Sequence, residues 1–425
     1  MINLHKVRVS PSVLSGNVCV PPSKSAAHRA IICASLAAGK SLISPVEMSE
    51  DMKATINCMR ALGADITVCD GFLQIDGSNV FSVKNADLDC RESGSTLRFL
   101  IPVAAAGGVN ATFTGKGKLP QRPIDVLTDR LPQHGTECVT NGGLPLEING
   151  KLKSGVYEIP GNISSQFITG LLLALPLCEG DSEIKLTTDV QSAGYIDMTI
   201  AVMKEFGVNV ESTENGWIVR GGSSYTARSF TVEGDWSQAA FFMTAGALGG
   251  KVTITNLLPD STQGDKACVD IYRRFGADIK EENGSITISG GMLHGIEIDA
   301  RDIPDMVPAL AVTASLAEGT TIIKGAERLR IKECDRLFAM AQGLSRLGAD
   351  IRETPDGLII KGVRRLRGTE LEGFNDHRIV MSLSTAAARC DGDIIISDME
   401  SINKSYPSYF EDYRALGGIA DVIMG

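Results

Sequence analysis

Apolar positions along the chain recur in one motif with a period near seventy residues. The motif is an apolar residue, Gly, often Ala-Asp, an apolar residue, a polar stretch and then a short apolar alternation. It occurs as LGADITVCDGFLQI from Leu62, HGTECVTNGGLPLEI from His134 and FGVNVESTENGWIV from Phe206. It returns as FGADIKEENGSITI from Phe275 and LGADIRETPDGLII from Leu347, and a truncated copy, LGGIADVIMG, ends the chain. The marker glycines Gly63, Gly135, Gly207, Gly276, Gly348 and Gly417 are spaced by 72, 72, 69, 72 and 69 residues. A second set is offset from the first: helix-like runs that end in Gly and lead into strand-like residues, such as SLAAGKSLI, GALGGKVTI and SLAEGTTII. Its glycines are Gly39, Gly108, Gly180, Gly249, Gly319 and Gly392, at the same period. Two independent marker sets with one period imply an internal repeat.

Each unit predicts helix, Gly cap, strand, helix, Gly cap, strand, turn, strand. Glycine directly after a helix suits a left-handed C-cap, where a Cβ is costly. The alternating tails read as hairpin strands behind polar or glycine turns. Six βαβαββ blocks cover nearly the whole chain, an α/β (α+β) architecture. One core stops growing at about 250–300 residues, so three blocks per domain is the expected split. The sixth block lacks its final strand, and the leading HKVRVSP lacks a partner. The N-terminal strand is therefore expected to complete the last block. The predicted lobes are 20–233, and 1–19 with 234–425, with crossings near Val20 and Glu233–Gly234. The three-fold arrangement of blocks does not follow from the period.

The first helix of each block opens on a cap-rich segment: PPSKSAAHRA, RESGSTLRF, GNISSQFITG, EGDWSQAAFF, RDIPDMVPAL and FNDHRIVMSL. Ser, Asp and Asn before an apolar run are N-cap signals. Helix N-termini carry unpaired N–H groups and favour anions. Lys24, Arg29, Arg98, His377 and Arg378 sit at such starts, where a cation opposes the helix dipole. Their placement makes sense if an anion is shared between cation and helix end. The loop KGKLPQRPIDVL adds Lys116, Lys118 and Arg122, and SINKSYPSYF adds Lys404. AERLRIKECDRLFAM adds Arg328, Arg330, Lys332, Glu333, Asp335 and Arg336. Lys332 and Arg336 are expected on one helix face; the plain alternative is a helix start with Lys332–Asp335 and Glu333–Arg336 pairs. The set points to small, multiply anionic ligands bearing phosphate and carboxylate groups. Asp305 and Glu333 are carboxylates in that setting, candidate base and acid.

Composition narrows the class. The apolar fraction of 43% and charged fraction of 22% are those of a soluble globular chain. The net charge of −10 argues against nucleic acid as a partner. The ten cysteines include no CxxC, and the five histidines no HxH or HxxxH, so neither a disulfide frame nor a metal site is expected. No apolar run reaches the ~18–20 residues that span a bilayer, and the N-terminus has no signal-peptide-like apolar stretch. A cytoplasmic protein that binds no membrane is expected. No Walker, nucleophile-elbow or Rossmann fingerprint occurs, so no nucleotide cofactor is expected.

PPSKSAAHRA, SGSTLRFL, QRPID, SSQF, IPD, IKECDR, NDHR and NKSYPSYF, in that order over residues 18 to 412, resemble the EPSP synthase family of enolpyruvyl transferases. The resemblance implies two inside-out α/β barrels (α-β prisms) of three units each, closing on substrate. It implies enolpyruvyl transfer from phosphoenolpyruvate to the 5-hydroxyl of shikimate 3-phosphate, by addition and elimination through a tetrahedral intermediate, with no cofactor and no metal. For shikimate 3-phosphate it implies contacts from Lys24, Ser25, Arg29, Ser164, Ser165, Gln166, Ser192, Tyr195, Asp305 and Lys332. For phosphoenolpyruvate it implies Lys24, Gly94, Arg122, Gln166, Arg336, Arg378 and Lys404. By the same resemblance Asp305 takes the hydroxyl proton, Glu333 handles the methylene proton, and Lys24 touches both substrates. Glu92, Phe99 and Arg328 depart from the residues many members carry there. With Gly94 unsubstituted, sensitivity to glyphosate is expected, as is a monomer. A sister enzyme acting on UDP-N-acetylglucosamine carries a cysteine before its RP-x-D segment; KGKLPQRPID has none.

Overall fold

The computed structural model describes residues 5–424. The chain divides into two units: Pro22–Glu233, the N-terminal lobe, and residues up to Pro21 with Gly234 onward, the C-terminal lobe. The first crossing thus falls at Pro21–Pro22, two residues beyond the expected boundary, and the second at Glu233–Gly234.

The N-terminal lobe carries helices α1 (Lys24–Leu36), α2 (Glu50–Ala61), α3 (Gly94–Gly107), α4 (Asp125–Thr128), α5 (Ser165–Ala174) and α6 (Ala193–Glu205). The C-terminal lobe carries α7 (Trp236–Ala247), α8 (Cys268–Phe275), α9 (Val307–Ala314), α10 (Arg336–Arg346), α11 (His377–Thr385) and α12 (Tyr409–Ala415). Each repeat therefore supplies two helices. In the second repeat the latter shrinks to the single turn α4, followed by a 3-10 turn Leu131–His134 containing Pro132; proline removes a helix donor and clashes with the preceding turn.

Among the described residues every sheet has four strands in one pattern. Asn85–Asp89 runs parallel to Asn110–Thr114, which is antiparallel to Leu146–Gly150, itself antiparallel to Thr136–Thr140. The first repeat borrows its leading strand from the far end of its lobe: Ser229–Thr231 pairs in parallel with Lys40–Ser44. The C-terminal lobe borrows twice from the N-terminus. Ser15–Cys19 pairs in parallel with Lys251–Thr255, and His5–Ser10 lies antiparallel between Ile394–Ile396 and Ile419–Met424. Each lobe is closed by a strand distant in sequence.

Apolar content decides which layer lies inside. Helices α7 and α9 are buried at every position, and α3 at all but two. A helix that is apolar all round belongs in a core. In α3 and α5 the backbones approach closely, and a Cβ on Gly170 would lie 2.3 Å from the Arg98 carbonyl. The second helices α2, α8 and α10 keep exposed polar positions, and the sheets turn alternate residues outward. Helices inside and sheets outside bring the N-termini of the buried helices to one end of each lobe's core.

All six marker glycines have left-handed φ, from +85° to +105°, where a side chain would be strained. The second set is less uniform: Gly39, Gly108, Gly249 and Gly319 are left-handed, Gly180 and Gly392 are not. At Gly180 a Cβ would come within 2.7 Å of Ser154 Oγ, a contact that a turn of the serine side chain relieves. Nothing in the structure requires glycine at 392.

Candidate active site

In the N-terminal lobe the cap-rich segments start α1, α3 and α5. Ser23, Ser93 and Ser164 are their N-caps, each side chain accepting a backbone N–H of the first turn. Behind Ser93 runs a buried polar chain: His28 Nδ1 to Thr55 Oγ1 at 2.6 Å, Thr55 to Thr96 at 2.7 Å, and Thr96 to Ser93 Oγ at 2.8 Å. Burial, with Lys24 and Arg29 adding repulsion, holds His28 well below the usual histidine range, so it is neutral. That network fixes the start of α3 and the glycine that follows.

Gly94 is the first residue of α3, and the Arg122 guanidinium lies flat against it. A Cβ there would sit 2.6 Å from Nη1 and 2.9 Å from Cζ. The resemblance placed a ligand against Gly94; in the structure it is this cation that occupies the space a side chain would take. Arg98, one turn on, is buried and donates to Gln166 Oε1 at 2.7 Å and to the Pro123 carbonyl at 3.0 Å. Gln166 in turn donates to Ser95 Oγ at 3.0 Å. Arg98 thus orients Gln166 and the loop that delivers Arg122. Burial first, then Arg122, lowers the Arg98 pKa well below its usual value.

Lys24 and Arg29 part company. Lys24, at the start of α1, pairs with Asp51 at 2.8 Å, its side chain 16% exposed. Arg29 is buried: it donates to Thr199 Oγ1 at 2.7 Å, the Ser25 carbonyl at 2.7 Å and the Tyr195 carbonyl at 3.0 Å, and stacks on Phe99 at 5.0 Å. Burial pushes its pKa down to about 10. Arg29 therefore ties α1 to α6 and holds in place Ser25 and Tyr195, two other candidates. Ser192, at the start of α6, is buried with φ +59°, and Ser165 is buried at the first turn of α5. Lys116 and Lys118 are exposed on the loop before Arg122.

The C-terminal lobe holds a denser cluster, centred on Arg336 at the first position of α10. Its guanidinium, 3% exposed, meets three carboxylates: Asp376 at 2.7 Å, Asp305 at 3.0 Å and Glu333 at 3.4 Å. Asp305 also faces Arg378 at 3.2 Å and Lys332 at 3.7 Å. Arg378 is steadied by the Asp305 carbonyl at 3.1 Å and by Ser237 Oγ at 3.0 Å. Ser237 in turn donates to Asp235, the N-cap of α7, at 2.6 Å. Glu333 faces His377 Nδ1 at 3.0 Å. Burial alone would raise the Glu333 carboxyl, but His377, Arg336 and Lys404 together hold it well below the usual carboxylate range. Lys404 donates to the Asn375 carbonyl at 2.6 Å. Glu333, Asp376 and His377 bring three donor atoms within 4.8 Å of one another, but Arg336 already balances both carboxylates.

Lys332 and Arg336 do not share a helix face. The chain runs as a 3-10 turn over Glu327–Ile331 and is extended at Lys332, and α10 begins only at Arg336, capped by Asp335. The break frees Lys332 to reach Asp305, while Asp335 pairs with Arg330 at 2.8 Å. Glu333–Arg336 is the one expected pair that forms. Arg330 is spent on Asp335, Glu353 and the carbonyls of Thr354 and Pro355, and Arg328 donates to the Arg301 carbonyl.

Two carboxylates that matter were legible only as helix caps or first-turn acids. Asp51 lies in the SED start of α2, where an acid suits the dipole. Asp376 lies in NDHR, where it caps α11 while also gripping Arg336.

The comparisons with known proteins cover the whole of this arrangement. The family model described as EPSP synthase (3-phosphoshikimate 1-carboxyvinyltransferase) matches residues 9–413. A 3-phosphoshikimate 1-carboxyvinyltransferase of Clostridium novyi (strain NT) is 46% identical, with 98% of this chain and 99% of the relative aligned. One of Clostridioides difficile (strain 630) is 45% identical over the same shares. A solved structure of EPSP synthase from Acinetobacter baumannii superposes with a TM-score of 0.84 at 30% identity, covering 99% of this chain and 100% of that one. With kinship over its full length and the family's fold, the chain belongs to the EPSP synthase (3-phosphoshikimate 1-carboxyvinyltransferase) family.

Proposed function

We propose a division of labour among these residues for the reaction of the family. The chain is a transferase of aromatic amino acid biosynthesis: it moves the enolpyruvyl group of phosphoenolpyruvate to the 5-hydroxyl of shikimate 3-phosphate and releases phosphate. The observation that carries the division is the Arg336 cluster, where a base candidate and an acid candidate, Asp305 and Glu333, share one buried guanidinium.

Asp305 takes the 5-hydroxyl proton, with Lys332 beside it, as the oxygen attacks C2 of phosphoenolpyruvate. Glu333 delivers a proton to the methylene carbon, which gives a tetrahedral ketal phosphate. Glu333 then takes back a methyl proton as the C–O bond to phosphate breaks, which restores the double bond, and the proton held by Asp305 leaves with the phosphate. At rest Glu333 is ionised. Phosphoenolpyruvate brings a phosphate and a carboxylate that compete for Arg336 and Lys404 and add like charge. Both effects push the Glu333 pKa upward, toward the acid form that the step uses. Arg122, Arg336, Arg378 and Lys404 hold phosphoenolpyruvate, with Gly94 leaving room for Arg122. Gln166, Ser164, Ser165, Ser192, Tyr195 and Ser25 hold the shikimate ester, and Lys24 contacts both substrates. A cage of fixed cations is required because the two ligands are multiply anionic and cations already in place need no reorganisation.

The test is phosphate release from phosphoenolpyruvate with and without shikimate 3-phosphate. Release that depends on the shikimate ester is expected. Release with UDP-N-acetylglucosamine instead would move the chain to the sister reaction, and loss of neither rate nor binding in Asp305→Ala and Glu333→Ala would remove the assigned roles. The protein is expected to run as a monomer in gel filtration.

A further inference from the structure

Among the described residues, eight other than glycine have a left-handed backbone, and two of them are consecutive: Phe374 (φ +54°) and Asn375 (φ +49°). They are the central pair of a tight turn that the Asp376 N–H closes on the Gly373 carbonyl at 3.0 Å. Such mirror-image turns favour Asn or Asp followed by Gly. A bulky residue at the first central position is disfavoured, because its Cβ crowds the carbonyl. Strain of this kind persists only where surrounding structure over-determines it.

The surroundings are specific. The half-buried Phe374 ring meets the Phe338 ring edge-on, 6.1 Å between centroids and 84° between planes. Gly373 is pinned: a Cβ would lie 2.2 Å from the Ser397 carbonyl, and its N–H donates to Ser397 Oγ at 3.1 Å. Ser397 Oγ donates to Asp398 at 2.8 Å. Asp398 is itself left-handed (φ +56°) and heads the 3-10 helix Met399–Lys404. The ring closes on itself, since Lys404 Nζ donates back to the Asn375 carbonyl at 2.6 Å. The next residue, Asp376, receives Arg336 Nε at 2.7 Å. One strained turn therefore aims a carbonyl at Lys404 and a carboxylate at Arg336.

We infer that Phe374 is a positioning residue: its ring, braced on Phe338, holds the strained turn so that Asn375 and Asp376 set Lys404 and Arg336 for phosphoenolpyruvate. The inference rests on the proposed role of those two cations. Alanine at 374 removes the ring and keeps the strain, whereas glycine removes both. A residue that only fills space would leave the glycine variant no better than the alanine one.

The experiment is steady-state kinetics on Phe374→Ala, Phe374→Gly, Phe374→Tyr and Lys404→Met. Phe374→Ala is expected to raise KM for phosphoenolpyruvate about tenfold, the size of one misplaced charge-assisted hydrogen bond, with KM for shikimate 3-phosphate unchanged. Phe374→Gly is expected to return to within about threefold of the parent, and Phe374→Tyr to within about twofold. Where Phe374→Ala does not fold, Phe338→Ala removes the brace from the exposed side and is expected to raise the same KM. A glycine variant as impaired as the alanine variant, or an equal rise for both substrates, overturns the positioning role. A raised KM in Lys404→Met with an unchanged KM in Phe374→Ala overturns it alone. An unchanged KM in Lys404→Met overturns the assignment of Lys404 and the positioning role together.

Discussion

Gly94→Ala is a perturbation whose size can be read from the coordinates. The new Cβ would lie 2.6 Å from Arg122 Nη1 and 2.9 Å from both Cζ and Nη2. Ordinary carbon contacts begin near 3.5 Å, so the guanidinium must retreat by about 1 Å. Gly94 opens α3, and the atoms a Cβ would meet belong to the end of one flexible side chain, so the fold should hold. Arg122, however, is the cation assigned to phosphoenolpyruvate. A charge-assisted hydrogen bond is worth about 1.5–3 kcal/mol, and losing one corresponds to about 10- to 150-fold in affinity. The interaction is made in ground and transition states alike, so the loss should fall on KM rather than kcat. Phosphate release at saturating shikimate 3-phosphate, with phosphoenolpyruvate varied, measures this, and a thermal melt reports the fold. An unchanged KM for phosphoenolpyruvate, or a melting temperature that falls in step with activity, would refute the reasoning.

Four other outcomes follow from the same geometry. Asp376→Asn removes the charge facing the buried Arg336 and should cost about 3–5 kcal/mol of stability, as breaking a buried pair does; a denaturant midpoint shift worth under about 1 kcal/mol would mean that Arg336 is balanced by other groups. Glu333 has a folded pKa below its unfolded one, so its stabilisation is complete above about pH 4.3 and is lost as pH falls through the folded value. The parent should therefore lose stability on acidification more steeply than Glu333→Gln, as urea midpoints across that window would show; parallel profiles would contradict the shift. Native protein treated with a thiol reagent should react first at the exposed Cys19 and at none of the seven buried cysteines until it is denatured, since burial pushes Cys390 up to about 12; rapid native labelling of Cys334 would count against the packing described. Glyphosate should inhibit, since Gly94 is unsubstituted, and a full rate at millimolar glyphosate would contradict that expectation.

Much of the candidate site could be proposed from sequence because most of its residues stand at helix starts, where cap chemistry marks position along the chain. Lys24, Gly94, Gln166 and Arg378 all lie in segments picked out by Ser, Asn or Asp before an apolar run. What those segments could not show is which way a side chain turns. Lys24 and Arg29 look equivalent on paper; one reaches Asp51 and stays partly exposed, the other is consumed by carbonyls and hydroxyls of α5 and α6. Lys332 and Arg336 have helical spacing, yet the helix begins at the second of them. Asp51 and Asp376 were hidden because a local explanation, the helix dipole or the cap, already accounted for an acid there.

The period of glycines and apolar residues determined the repeat, its element order and its count by itself, because left-handed caps and alternating strands are local steric demands written residue by residue. The family resemblance, carried by short motifs, named the reaction for the same reason. One distant pairing, that of the N-terminal strand with the last repeat, followed from the strand that repeat lacks; tertiary structure alone decided the others. The strand that closes the N-terminal lobe comes from Ser229–Thr231, the carboxylate that holds Arg336 comes from forty residues downstream, and Phe374 is held in a strained turn by the ring of Phe338. Such choices depend on which desolvated groups can satisfy one another once the helices are packed, and no window along the chain contains both sides of that condition.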